Sequence, residues 1–214
     1  RQMPEEINRI VTDGLSDMLL VSEPEGVNNL KNEGHTDEDI HLVGNVMIDT
    51  LLRQVEQAKQ RHTLADIDVV SGEYCLVTLH RPSNVDQPET LGPLVDVLIE
   101  VSEGMSIVFP VHPRTQGRLE AFDLWEKLVA TPGIKVQGPL GYNDFLALSS
   151  QAKVIVTDSG GLQEESTALL IPCLTMRENT ERPITVTEGT STLCGSDAAM
   201  LRDCLNQVAA STYK

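Results

Sequence analysis

The chain has 214 residues, 40% hydrophobic and 22% charged, which is ordinary for a globular protein with one core or one domain and part of another. Its formal net charge of −16 argues against a nucleic-acid partner, because phosphate backbones are bound by basic faces. The net charge does not exclude a small anionic ligand, because a local cluster of hydrogen-bond donors is enough to bind one. No apolar run approaches the roughly 20 residues of a membrane span.

The first third of the chain predicts helices around one short strand. In chain order these are a helix from Pro4, a strand at Met18–Val21, a helix at Pro24–Leu30 and a helix at Val46–His62. The charged stretch 65–72 breaks the helical pattern, so a domain boundary is expected there or at the Gly44-Asn45 turn. Because Arg1 opens inside a predicted helix, we expect a piece of a longer protein; a trimmed complete domain is the alternative.

From Tyr74 onward, strands of about five residues alternate with helices of about ten. The predicted strands are 74–79, 106–110, 134–136, 154–157 and 173–176, and the predicted helices 89–101, part of 114–128, 142–150, 160–170 and 198–209. Continuous apolar strands such as Val154–Val156 indicate a sheet covered on both faces. The sequence therefore predicts an α/β fold with a Rossmann-like, doubly wound parallel sheet.

Polar residues follow four of these strands, at the sheet edge where such folds bind ligands. The segments are 80–84, 111–115, 157–165 and 177–183. In the third, Ser159, Gly160 and Gly161 precede a helix, so backbone N–H groups and the helix dipole favour an anion there. Glu164 and Glu165 lie in the predicted first turn, and one of them pointing at the ligand would suit a ribose diol. The alternative is a plain helix cap by Asp158 or Ser159 with acids favouring the dipole.

His80 and His112 each follow an apolar strand, and cations lie at neighbouring strand ends. These are Arg81, Arg114 and Arg182, and the set suits a diphosphate. Zinc is disfavoured because the histidines lack metal-ligand spacing. Glu5 and Arg9 lie four apart on the first helix, and on pattern alone they form an ordinary ion pair.

The four cysteines show no metal-ligand spacing, and we expect reduced structural thiols and a cytosolic setting. They are Cys75, Cys173, Cys194 and Cys204.

Six segments together resemble the non-hydrolysing UDP-N-acetylglucosamine 2-epimerases and occur in the family's order. They are PEEINR at 4–9, VGNVMID at 43–49, VTLHR at 77–81, FPVHP at 109–113, TDSGGLQEE at 157–165 and TERP at 180–183. The resemblance implies two Rossmann-like domains in a GT-B-like architecture. We expect 1–45 to be the end of an incomplete first domain, 46–72 a connecting helix and linker, and 73–214 the second, UDP-binding domain.

The resemblance also implies residue roles. Ser159, Gly160 and Gly161 would bind the diphosphate, and Glu165 the ribose. Further UDP contacts would come from His112, Arg182 and, near the uracil, Phe145. The implied catalytic residues are Glu5, Arg9 and His80.

The implied reaction inverts carbon 2 of a UDP-N-acetylhexosamine by eliminating UDP and adding it back. It needs acid–base groups near carbon 2 and cationic donors around the departing UDP. No cofactor and no metal are implied, and we expect a cytoplasmic homodimer.

Two departures from the family pattern stand out, and the first puts the exact sugar in question. Pro82 and Ser83 stand where the family often has Arg-Glu, and Ile184-Thr185 where it commonly has Glu-Ala. The rival functions are a GT-B glycosyltransferase, a hydrolysing epimerase, a degenerate UDP-sugar-binding module and an α/β domain without a ligand. The chain alone is expected to bind UDP weakly and to turn over little.

Overall fold

The computed structural model describes residues 4–213, with side chains from residue 6 onward. The chain divides into two compact units, Arg1–Thr50 and Leu51–Lys214. Within the described residues, no helix is long and apolar enough to cross a membrane.

The first unit contains a small parallel sheet with its own core. Its elements are α1 (Pro4–Asp13), β1 (Leu19–Val21), α2 (Pro24–Asn32), β2 (Ile40–Leu42) and the first residues of α3 (Val46–Lys59). β1 pairs with β2, and the core joins Leu19, Val21, Leu30 and Ile40. α2 approaches β1 closely at Gly26, where a Cβ atom would lie 2.6 Å from Val21 Cγ1.

The second unit is built on a larger sheet. Among the described residues, six parallel strands take part: β3 (Tyr74–Thr78), β4 (Ser106–Pro110), β5 (Ile134–Gln137), β6 (Val154–Thr157), β7 (Cys173–Thr175) and β8 (Ser191–Leu193). They lie in the order β5-β4-β3-β6-β7-β8, with Cys75 opposite both Ile107 and Val154.

Helices cover both faces of this sheet. They are α4 (Thr63–Ile67), α5 (Pro82–Val85), α6 (Pro88–Val101), α7 (Pro113–Ala121), α8 (Trp125–Val129), α9 (Tyr142–Ser149), α10 (Gly160–Ala168), α11 (Ile184–Thr187) and α12 (Ala198–Ala209). Alternate β3 residues point to opposite faces: Cys75 and Val77 join the core under α6 and α12, whereas Tyr74 and Leu76 join the core under α9 and α10. Side chains of β3 alternate between the two faces and are buried on both, which is the pattern of a sheet covered by helices on both faces.

The strand order places a topological switch point between β3 and β6. From β3 the chain proceeds outward to β4 and β5, and from β6 it proceeds outward in the other direction to β7 and β8. Open α/β sheets bind ligands at the carboxyl ends of the strands where the order reverses. The loops after Thr78 and Thr157 therefore border the expected crevice.

The predicted α/β class and doubly wound sheet are confirmed, with local differences. Stretch 65–72, predicted to break the helical pattern, contains part of α4, which ends at Asp68 in the left-handed region (φ 61°). α4 forms because Thr63 and Ile67 are buried. The short elements β2, α5, α11 and β8 were not predicted, since each has only three or four residues and too little periodicity to stand out.

Candidate functional site

A buried carboxylate, Asp158, organises the crevice. Its side chain is fully buried directly after β6 and accepts hydrogen bonds from the backbone N–H groups of His80 (2.9 Å) and Arg81 (2.8 Å). His80 Nδ1 lies 2.9 Å from Asp158 Oδ1. The hydrogen bond that the His80 ring donates to Asp158 raises the pKa of His80, although burial opposes the shift. Burial alone would raise the pKa of Asp158, but the hydrogen bonds from His80, Asn84 and Arg81 together lower it.

Asn84 ties four strand ends together around Asp158. It is fully buried, and its Nδ2 donates to Asp158 Oδ2 (3.0 Å) and to the carbonyl of Met176 (2.9 Å). Its Oδ1 accepts from Ser196 Oγ at 2.9 Å. These contacts link the loops after β3, β6, β7 and β8, so the crevice is held by side-chain bonds as well as by the sheet.

His112 is placed beside His80 by the start of α7. Its ring centroid lies 5.6 Å from that of His80, and its Nδ1 accepts from Arg114 N at 3.1 Å as the N-cap of α7. The hydroxyl of Thr115 donates to the carbonyl of Leu79, which fastens α7 to the end of β3. The structure pairs Arg114, predicted among the diphosphate cations, with Asp86.

The start of α10 leaves backbone donors facing the crevice. Ser159 is the N-cap residue, yet its side chain makes no capping bond among the described residues, and the Asp158 side chain turns to the β3 loop instead. The plain-cap alternative is therefore wrong.

The prediction that Glu164 and Glu165 lie in the first turn is also wrong, because α10 begins at Gly160 and its first turn carries no acidic residue. Half-buried Gly160 and Gly161 leave that turn open to an anion.

Glu165 lies one turn further along α10, with 8% of its surface exposed. Burial, followed by the charge of Glu164, raises its pKa. Burial, followed by the charge of Glu165, raises the pKa of Tyr142 at the start of α9, so the two side chains are near one another. Phe145, also on α9, packs against the core that contains Leu162. Tyr142 was not predicted as a site residue, because its proximity to Glu165 depends on how α9 and α10 pack.

The loop after β7 closes the remaining side. Arg182 Nε lies 3.1 Å from Glu164 Oε1, and Thr180 Oγ1 donates to Gln163 Oε1 at 2.7 Å. Both contacts fix the loop to α10. The predicted UDP residues Ser159, Gly160, Gly161, Glu165 and Arg182 thus share one neighbourhood, which adjoins the His80–His112 pair through Asp158.

The remaining predicted residues lie in the first unit. Glu5 belongs to α1, but its side chain lies outside the described part of the chain. Arg9, 35% exposed, contacts the carboxylates of Glu6 (2.9 Å), Asp13 (2.6 Å) and Glu33 (2.6 Å) and borders an open pocket of about 470 Å³. The hydrogen bonds that Arg9 donates, first to Glu6 and then to Glu33, raise its pKa.

All four cysteines are free and buried. Among residues whose side chains are described, no group of three or more His, Cys, Asp or Glu side chains could hold a metal ion.

Comparison with known proteins matches the whole chain to one family. The model of the UDP-N-acetylglucosamine 2-epimerase family matches residues 1–214. A UDP-N-acetylglucosamine 2-epimerase of Methanococcus maripaludis is 40% identical over 213 residues, covering 97% of this chain and 58% of that protein. A UDP-2,3-diacetamido-2,3-dideoxy-D-glucuronate 2-epimerase of Pseudomonas aeruginosa is 38% identical over 203 residues, covering 94% of this chain and 54% of that protein.

Solved structures give the same match. The crystal structure of the Methanocaldococcus jannaschii UDP-GlcNAc 2-epimerase in complex with UDP-GlcNAc and UDP has a TM-score of 0.85 at 40% identity, covering 98% of this chain and 59% of that chain. The Neisseria meningitidis UDP-GlcNAc 2-epimerase bound to UDP-GlcNAc has a TM-score of 0.82 at 26% identity, covering 99% of this chain and 60% of that chain. These likenesses confirm the GT-B-like fold predicted from the sequence. The chain spans 54% to 60% of the length of these relatives.

Proposed function

Because the chain belongs to the UDP-N-acetylglucosamine 2-epimerase family, we propose that its full-length parent inverts carbon 2 of a UDP-N-acetylhexosamine. In this proposal UDP is eliminated and added back, and this chain supplies the UDP site. The observation that carries it is the opening of α10 at the switch point, where the turn at Gly160 and Gly161 meets the Asp158–His80 pair.

The proposed roles follow the position of each group. The hydroxyl of Ser159 and the backbone N–H groups of Gly160 and Gly161 bind the diphosphate, because helix N-termini favour anions. Glu165 accepts the ribose hydroxyls, and Phe145 lies at the uracil. His112 and Arg182 contact the rest of UDP.

His80 acts at the bond between sugar and phosphate. Asp158 favours the imidazolium form of His80, and a positive donor at this point stabilises the charge that UDP gains as it departs. Glu5 and Arg9 act on the sugar in this proposal, which for them rests on the family resemblance. Because Arg9 pairs with three carboxylates, it fixes the positions of acidic side chains on α1 and at the end of α2.

The sugar substituents are a separate part of the proposal. Pro82 is the first residue of α5, so the backbone begins a helical turn where the family often carries a cation and a carboxylate. The Pseudomonas relative is named for a diacetamido sugar, so the parent is to be assayed with that substrate class beside UDP-N-acetylglucosamine.

The direct test is turnover by the full-length parent in D₂O, followed by proton NMR. We expect UDP-N-acetylmannosamine to form from UDP-N-acetylglucosamine with deuterium at carbon 2, because the proton returns from solvent. His80→Gln is expected to lower kcat by about 100-fold or more, the usual range for a group assisting charge development. His62→Gln, at an exposed histidine before α4, is the matched control and should leave kcat unchanged.

Release of UDP only when an acceptor is added would identify a glycosyltransferase instead. Accumulation of free N-acetylmannosamine would identify a hydrolysing epimerase, and tight UDP binding without turnover a degenerate module. The proposal also includes a cytoplasmic homodimer, expected from the family resemblance, and light scattering on the parent tests the dimer.

A further inference from the structure

The loop after β7 contains a buried arginine, and only one of its two terminal guanidinium nitrogens has a hydrogen-bond partner among the described residues. Arg177 is 9% exposed, and its Nη2 donates to Glu181 Oε1 at 2.8 Å. Its Nη1 is buried and has no hydrogen-bond partner among the described residues. A buried guanidinium donor without an acceptor is costly, and an acceptor that arrives with a ligand would remove that cost.

The partner of Arg177 lies in front of α10. A Cβ atom added to Gly160 would be 3.8 Å from Glu181 Oε2, which places this carboxylate beside the first helical residue. Arg177, then Arg81 and Arg182, lower the pKa of Glu181, so its charge sits among three cations. A negative group surrounded by cations at a helix start has the electrostatic environment of a bound phosphate.

The backbone around Glu181 is fixed, whereas its side chain is not enclosed. Thr180 bonds to Gln163 and Arg182 pairs with Glu164, so the loop is tied to α10 on both sides of Glu181. The Glu181 side chain is 55% exposed. It can therefore rotate into solvent without disturbing the loop, and Arg177 would keep its buried position.

We propose that Arg177 is a further phosphate-binding residue of the nucleotide site and that Glu181 holds the phosphate position until a nucleotide displaces it. The inference rests on the proposed function. Glu181 and a phosphate compete for the same donors, because two anions cannot share one guanidinium and one helix start without repulsion. Displacement frees Nη2 for the phosphate and gives Nη1 the acceptor it lacks.

The test is calorimetric titration of UDP and of uridine into this chain and into Glu181→Gln. Removing the competing charge is expected to tighten UDP binding by about threefold or more. Uridine has no phosphate, so its affinity should be the same for both proteins. Glu178→Gln is the matched control: it removes the same charge from the same loop, but its carboxylate lies beside Gly195 rather than Gly160, and UDP affinity should not change.

Equal or weaker UDP binding by Glu181→Gln, with the wild-type chain binding UDP, would overturn the inference and leave the proposed function standing. An equal gain in Glu178→Gln would also overturn it, since general charge repulsion would then explain the effect. No UDP binding by the folded wild-type chain would overturn both this inference and the proposed function.

As a second variant, Arg177→Lys should weaken UDP binding by about threefold or more and leave uridine binding unchanged, because a lysine lacks the second donor arm.

Discussion

At the scale of single residues, the charge of the crevice depends on Asp158. This carboxylate is fully buried and touches His80 through both the ring and the backbone. It therefore acts as a positioning residue: it fixes the β3 loop and raises the pKa of the histidine. A buried charge of this kind is tolerated because every contact it makes is a hydrogen bond.

Asp158→Asn is expected to lower the pKa of His80, because the negative partner that favours the imidazolium is removed. The pKa of His80 is raised in the folded chain, so its stabilising contribution is present below the unfolded pKa and lost as pH rises through the folded value. NMR titration of the His80 ring checks this, with Asp86→Asn as the control that leaves His80 untouched. An unchanged His80 titration in Asp158→Asn would contradict the assignment.

Glu165 illustrates the opposite situation, a carboxylate retained at a cost in stability. Burial raises its pKa, so the stability it contributes is present below its unfolded pKa and lost as pH rises through the folded value. Glu165→Gln should therefore stabilise the chain at pH 7.5 by about 1 kcal/mol, with the gain shrinking toward pH 4. Urea unfolding at several pH values measures it. Glu126→Gln, at an exposed site on α8, should show no such trend.

Contacts between individual side chains were the features least predictable from the sequence. Asp158 stands directly before a helix, which made it a candidate cap, and its true partner His80 lies 78 positions away in the chain. Glu181 likewise reaches Gly160 only because β6 and β7 are neighbours in the sheet. Long-range pairing of this kind has no local pattern. The strand ends were predictable, because apolar runs followed by polar turns are a local signal.

At the scale of elements, Arg9 holds two helices of the first unit together. It joins Glu6 and Asp13 on α1 to Glu33, the residue that ends α2. The pattern-based alternative paired Arg9 with Glu5, whose side chain lies outside the described residues. A network of one guanidinium with three carboxylates exceeds an isolated surface pair, because removing the cation leaves three negative charges in mutual repulsion.

Arg9→Gln should therefore destabilise the first unit by about 1 kcal/mol, after allowance for its partial exposure. Hydrogen exchange should show faster exchange in α1 and α2 and no change in the sheet of the second unit. Lys31→Gln, which breaks one exposed pair with Asp37 in the same unit, is the control and should have little effect. Unchanged exchange in Arg9→Gln would show that the network is not structural.

At the scale of the whole molecule, an acidic chain places three of its 16 lysines and arginines around one carboxylate. The net charge is −16, yet Arg81, Arg177 and Arg182 converge on one carboxylate beside the start of α10. The alternation of strands and helices predicted the class of fold, but not the order β5-β4-β3-β6-β7-β8, which depends on which strands pair. That order places the β3 and β6 loops side by side and creates the crevice.

The most direct test of the account is calorimetric titration of UDP into this chain beside Glu165→Ala and Arg182→Ala. We expect measurable binding by the wild-type chain and an affinity at least about tenfold lower in each variant, since one loses the ribose acceptor and the other a cation at the UDP. Circular dichroism confirms that each variant is folded. Binding that is unaffected by both substitutions, or no binding by the folded chain, would contradict the placement of the nucleotide at the start of α10.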